Sequence, residues 1–346
     1  MKTRLPFLSE TSVVTAILIS LISCSTNLKE ITFAGGFEEG YTLRQPTEEL
    51  IRVPKDSITC ALIVDDLLCI FDNHRHHEDT PTVRISEISS PDNYKGLIRY
   101  GIETGESAMP FINYAEGKIS IYDPLLQKIA VLDVREAYQT PGYEPLFKET
   151  EILTQRICPF GDRVVFMNVF AFEGKEPLVL FSDENWTSKK RDNVGAYLNV
   201  MSGELFTGNK QTMIGCTREG IPEMVIYDNK ANPLVKLTFP HEQQRFQKID
   251  INDGHFEYLN AADDTTNDCF YAGCGGNNMF SLVYDDEKRN DQVVLIFNWK
   301  GDIIDGFRTD GIIERVSFSS DEMFLYAWEK IGEECFLNKY PVKPGK

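Results

Sequence analysis

Side chains able to hold a metal or move a proton gather most densely at His74-Arg75-His76-His77-Glu78-Asp79, which holds three of the chain's five histidines. His74, His76 and His77 are the candidate ligands. His74 and His76 would share a face in an extended strand, but Asn73 and Pro81 frame the segment as a loop. A loop seldom keeps ligands at fixed distances without a further layer of hydrogen bonds, so a solvated hairpin loop accounts for the cluster better than a metal site. The run Ala262-Asp263-Asp264-Thr265-Thr266-Asn267-Asp268 is rich in oxygen. It lacks the alternating carboxylates and distal Glu of an EF-hand loop, and reads as an acidic surface turn. Cys269 to Asn278 (CFYAGCGGNN) lacks the Lys-Ser/Thr ending and the following helix of a phosphate loop, and reads as a tight bend. No Gly-x-Ser-x-Gly elbow is present, and abundant Asp and Glu in an acidic chain single out no glycosidase pair. These residues therefore name no catalytic group and imply no metal and no cofactor.

The cysteine with the clearest chemical role is Cys24. Lys2 and Arg4 make a basic start, and Val13 to Ile22 is an apolar run interrupted by Thr15 and Ser20. That length suits a signal-peptide core and falls short of the roughly 20 residues of a membrane-spanning helix. The run closes on Leu21-Ile22-Ser23-Cys24, which resembles the lipobox of bacterial lipoproteins, with Ile22 where a small residue is more usual. The resemblance implies cleavage before Cys24, whose thiol accepts the lipid. Residues 1–23 are then a signal peptide, 24–47 a lipidated N-terminus and polar tether, and 48–346 the folded domain.

The chain carries 35 Lys plus Arg against 53 Asp plus Glu, a formal charge of −18. Such a surface repels polyanions, and no basic cluster offsets it, which excludes nucleic acid as a partner class. Seven cysteines remain after Cys24, an odd number at irregular spacing, which argues against a full disulfide framework. Most sit in apolar runs such as Ile58 to Val64, where a free thiol packs as a small hydrophobe. Cys269 and Cys274 are near enough in sequence to pair across a turn.

What would position any of these groups is a set of short strands. Helix-period segments are scarce, and Gly, Asn, Asp and Pro punctuate β-rich runs every few residues. In Gln292 to Lys330 the runs are Val293 to Phe297, Ile303 to Phe307, Ile313 to Phe318 and Met323 to Trp328. Lys118 to Val134 and Glu223 to Phe239 each read as two strands about an Asp-led turn. Met279 to Asp285 and Leu68 to Asp72 also close on an aromatic residue and Asp. An Asp there can accept hydrogen bonds from the turn's N–H groups. Strand-only repeats of roughly 40 to 55 residues read as propeller blades, and six blades over about 320 residues give roughly 53 each. The fold class expected is all-β, a six-bladed β-propeller of mostly four-stranded antiparallel blades. Its ring should close by pairing the last strand, Cys335 to Val342, with Glu49 to Val53.

The lipobox, the repeated strand–Asp–turn–strand unit and Leu97 to Phe111 (LIRYGIETGESAMPF) together resemble the six-bladed TolB-like propeller lipoproteins of Gram-negative bacteria. Gly101, Gly105, Pro110 and Phe111 echo, with departures, a glycine-rich stretch that such proteins carry between blades. The resemblance implies a lipid-anchored location in the cell envelope at the outer membrane, periplasmic or surface-facing. A binding or protein-interaction module follows, its partner an envelope protein or a small-molecule or glycan ligand at a channel mouth. A hydrolase or lyase acting on glycan or peptide is the alternative. Convergent acids at a mouth would favour the enzyme; aromatic residues with hydrogen-bonding groups would favour the binder.

Overall fold

The computed structural model of the chain describes residues 28–33, 41–55, 57–72, 81–103, 105–152, 154, 156–167, 179–189, 202–218, 221–240, 246–252, 255–260, 269–286 and 291–343. Among them the strands form six sheets of four or five strands and one two-stranded hairpin, with Val134–Gln139 the single helix. The six sheets are the blades of a β-propeller, as expected.

The inner strands, in chain order, are Cys60–Val64, Phe111–Ala115, Ile157–Phe160, Ser202–Gly208, Phe270–Gly275 and Ile312–Phe318. Each is the first strand of its blade, and the next two or three strands step outward as antiparallel neighbours. In blade 1 the short Glu106–Ser107 strand adds a parallel edge. The hairpin, Phe246–Asn252 with His255–Asn260, lies in the chain between blades 4 and 5.

Burial explains the near-continuous apolar runs. A blade is sandwiched between two others, so both faces of a strand are covered and its side chains alternate between two cores rather than between core and water. Val293, Leu295 and Phe297 enter the core shared by blades 4 and 5. Val294 and Ile296, between them in sequence, enter the core shared by blades 5 and 6. A cluster of buried apolar residues fills each of the other gaps too: blades 1 and 2, 2 and 3, 3 and 4, and 6 and 1.

The ring closes as expected. Glu48–Pro54 pairs antiparallel with Glu334–Pro341, with Val53 opposite Cys335 and Glu48 opposite Lys339. Arg52 clasps the pairing through its Nε, which donates to Glu334 Oε1 at 2.9 Å. Leu50, Ile51 and Val53 then pack on the core that holds Ala61 and Ile63 of blade 1 with Trp328 and Leu337 of blade 6.

Two expectations change, and one possibility left open is decided. The span 24–47, read as a tether, contains a strand: Lys29–Thr32 pairs in parallel with the outer strand of blade 4, Lys29 opposite Val235. Farther along, Leu43 bridges to Arg308 of blade 5, and the Arg44 guanidinium donates to both oxygens of Asp305 at 2.7 and 2.8 Å. The described part of this span is therefore a strap across the outer edges of blades 4 to 6. Edge pairing and the Arg44–Asp305 ion pair hold it, and Ile31, Phe33 and Tyr41 pack against the core shared by blades 4 and 5. Cys269 to Asn278, read as a bend, is the inner strand of blade 5 followed by a turn at Gly276. Its glycines serve close packing: a Cβ on Gly275 would lie 2.3 Å from the Thr207 carbonyl oxygen of blade 4. Cys269 and Cys274 do not face each other across a turn. Both are free, and they belong to cores on opposite sides of the blade.

Candidate binding site at one channel mouth

A cavity of about 450 Å³ opens at the mouth where the inner strands begin, lined chiefly by residues of blades 1 and 2. Its apolar wall includes Leu62, Phe71, Tyr100, Met109, Phe111 and Ile157. Its polar groups are Thr59, Asp72, Thr82, Asn113, Arg156, Glu204 and Arg315. The stretch with Pro110 and Phe111, singled out in the sequence, is the connection from blade 1 to blade 2 and forms part of the wall. Gly105 within it has φ +82, a left-handed conformation with no side chain nearby to explain it otherwise.

Three charged residues from three blades meet here. Arg156 stands one residue before the inner strand of blade 3, where its N–H donates to Thr154 Oγ1 at 3.2 Å. Glu204 and Arg315 lie on the inner strands of blades 4 and 6. An Arg156 terminal nitrogen is 3.2 Å from Glu204 Oε1, and an Arg315 terminal nitrogen is 3.9 Å from the same oxygen. Local backbone irregularity sets this aim. The register of blade 4 shifts between Ser202 and Leu205, and that of blade 6 between Ile313 and Arg315. An extra residue in one strand bends it and redirects a side chain. Gly203 makes the first bulge possible: a Cβ there would lie 2.5 Å from Thr217 Oγ1, which accepts from the Glu204 N–H at 2.7 Å. Blade 5 carries a third shift near its start, between Phe270 and Ala272.

Asn113 reaches from blade 2 to blade 4, its Nδ2 donating to the Leu205 carbonyl at 2.9 Å. Next to it, Tyr114 lines this cavity and also a smaller one of about 240 Å³ at the opposite mouth. The Tyr114 hydroxyl is buried beside the Cys274 thiol. Burial first, and Cys274 next, push it well above the usual phenol range.

The opposite mouth is acidic, with Asp65, Glu116 and Glu322. These carboxylates tie loops together. Asp65 Oδ2 accepts from Arg135 Nε at 2.6 Å, Glu116 Oε1 from the Gln211 N–H at 2.9 Å, and Glu322 Oε2 from Asn278 Nδ2 at 3.0 Å.

Among the described residues, neither mouth presents an unengaged pair of acids. In the larger cavity Glu204 faces two arginines, and Asp72 lies 3.6 Å from an Arg84 nitrogen. Cys60 lines the same cavity, but burial pushes its thiol up to about 12, which leaves no thiolate to act as a nucleophile near neutral pH. The wall is thus aromatic and apolar with a few hydrogen-bonding groups. Cys24, His74, His76, His77 and the Asp263 loop lie outside the described residues. Among the described residues no group of three or more His, Cys, Asp or Glu side chains could hold a metal ion, and no helix is long and apolar enough to cross a membrane.

Sequence reasoning missed Arg156, Glu204 and Arg315. One signal was available for Glu204: an isolated glycine, Gly203, within a strand-like run marks a bulge. Nothing local marks either arginine.

No family model and no curated protein matches the chain. The likeness to TolB-like lipoproteins therefore rests on the residues quoted for it. Among solved structures, the chain is similar to a member of the DUF4221 family from Bacteroides vulgatus. The match has 9 % identity and a TM-score of 0.48, and covers 89 % of this chain and 100 % of that one. It is also similar to a protein of Bacteroides fragilis described as exported, at 8 % identity and a TM-score of 0.47, covering 91 % and 99 % of the two chains. Neither likeness bears on function.

Proposed function

We propose that this propeller is an exported, lipid-anchored envelope protein that binds a ligand at the mouth where its inner strands begin. The observation that carries the binding role is the cavity of about 450 Å³, within the usual size of small-ligand sites, walled by aromatic side chains and a few convergent polar groups. Its carboxylates are each set against arginine, which favours binding over acid–base hydrolysis. The anchor rests on the Leu21-Ile22-Ser23-Cys24 motif, with residues 1–23 removed on export and Cys24 acylated.

Two experiments test this reading. Cys24→Ser should move the protein from the membrane to the soluble fraction, and a variant still in the membrane fraction would end the anchor. For binding, the full chain is screened against a library of envelope metabolites by thermal denaturation. A ligand specific for the native state raises the midpoint by mass action. Met109→Trp fills the mouth from its rim, where Met109 is half exposed, and should cancel the rise. A library without effect, or a rise unchanged in the variant, would refute the site.

A further inference from the structure

We infer that the mouth selects a small carboxylate carried on an apolar or aromatic body, with Arg315 and Arg156 taking the carboxylate beside Glu204. This rests on the reading that the mouth binds a ligand, and names the ligand's chemistry.

Charge supplies the first argument. The chain has a net charge of −18, yet in this cavity two guanidinium groups meet a single carboxylate oxygen, and Asp72 has its own arginine in Arg84. The triad of Arg156, Glu204 and Arg315 is left with one positive charge in excess, which one further carboxylate would neutralise.

Hydrogen-bonding capacity supplies the second. A guanidinium offers five N–H donors in a flat fork that matches a carboxylate edge. Arg315 donates to the Glu314 carbonyl at 3.1 Å, and among the described residues its ion pair is the long 3.9 Å approach to Glu204. Its side chain is 36 % exposed, and that of Arg156 is 31 %. About a third of each side chain is therefore open to the walled mouth, where an incoming carboxylate can reach it. A single bulged strand each aims Glu204 and Arg315 at this point, and the inner strands that carry them are gripped by cores on both sides. The charges are therefore held in place before any ligand arrives.

The wall supplies the third argument and sets the body of the ligand. Leu62, Phe71, Tyr100, Met109, Phe111 and Ile157 are apolar over most of their surface. A hydroxyl-rich sugar would turn several hydroxyls toward these side chains with no partner there. An aromatic ring or a short aliphatic chain loses nothing there.

Isothermal titration of the full chain tests the inference with four probes: 3-phenylpropanoate, its neutral methyl ester, glucuronate and inorganic phosphate. The acid should bind at least tenfold more tightly than the ester, and more tightly than glucuronate or phosphate. Arg315→Gln should erase the preference for acid over ester while the ester still binds, which shows that the variant is folded and its cavity intact. Glu204→Gln, which frees both arginines, should tighten the acid several-fold and leave the ester unchanged. Equal binding of acid and ester would overturn the carboxylate, although the mouth would still be a binding site. Tighter binding of glucuronate or phosphate would overturn the apolar body. Failure of all four probes would overturn the inference, while a different ligand lost in Met109→Trp would keep the broader reading alive.

Discussion

Two buried carboxylates show how opposite outcomes follow from local surroundings. Glu329, on the second strand of blade 6, has no exposed surface. Burial raises its carboxyl to about 7, with the neighbouring Tyr340 and Asn338 side chains pulling the other way. Its folded value thus lies above its unfolded value, near 4.5. The folded state holds the extra proton, so the stability that this group contributes is complete below about 4.5 and is lost as pH rises through about 7. The loss amounts to roughly 3 kcal/mol over that window. Glu329→Gln should therefore be more stable than the parent at pH 8 and about equal at pH 5. Urea titrations at both values measure this, and equal stabilities at pH 8 would show that the carboxylate is not desolvated. Asp123 goes the other way. Burial would raise it, but hydrogen bonds from Ser107, Met109, Leu126 and Ala108 outweigh burial and hold it below its usual range. Its contribution is present above the unfolded carboxylate value and fades as pH falls through the lowered one. One oxygen takes the Ser107 hydroxyl at 2.7 Å and the Met109 N–H at 3.0 Å, and the other takes the Leu125 and Leu126 N–H groups at 3.0 Å. Asp123→Ala strands these donors and should cost about 3 kcal/mol or more near neutral pH. Because Met109 belongs to the cavity rim, the same change should weaken ligand binding.

At the scale of elements, ring closure makes one cooperative unit out of six sheets. Ile51→Ser, in the closing strand, should lower the thermal midpoint in a single transition, because the interface of blades 6 and 1 is shared by the whole ring. A separate low-temperature transition would show that the closure is a local attachment. Deleting Cys335 to Lys346 removes the strand between Glu48–Pro54 and Phe324–Ile331 and should abolish the parent transition altogether. This pairing was legible in the sequence because both partners are short apolar runs at the ends of a chain whose other strands have neighbours in hairpins. Most strands were legible for a related reason: apolar runs bounded by turn residues leave few other readings. The Asp at the end of such a run does cap its turn. Asp123 accepts from Leu125 and Leu126, and Asp228 from Lys230 and Asn232. Asp123 ends a second strand and Asp228 a third, so the motif marks turns and not the period of the blades. The inner strand of blade 5 was illegible because its glycines are chosen for the approach of blade 4, a contact remote in sequence. The charged triad was illegible for the same reason. Each member is one charged residue among many, and only the ring brings blades 3, 4 and 6 to a common point.

For the whole molecule, the two mouths differ in kind. One has acids already occupied in tying loops, and the other has arginines with donors to spare. The strap adds a mechanical consequence. Lys29 is already paired to the outermost strand of blade 4. Five residues from Cys24 to Lys29 span at most about 18 Å when fully drawn out. A lipid on Cys24 would therefore act as a short mooring at one point on the rim and not as a long leash. Such a mooring would keep the outer edge of blade 4 near the bilayer and leave blade 1, across the ring, free to lie farther from it. A fluorophore at exposed residue 230, in a blade 4 turn, should be quenched by nitroxide-labelled lipid more strongly than one at exposed residue 92, in blade 1. Twenty glycine and serine residues inserted after Asn27 should erase the difference. A chain so moored could still turn about its tether, so that the arginine-lined mouth would sweep the space beside the membrane and not be pressed against it.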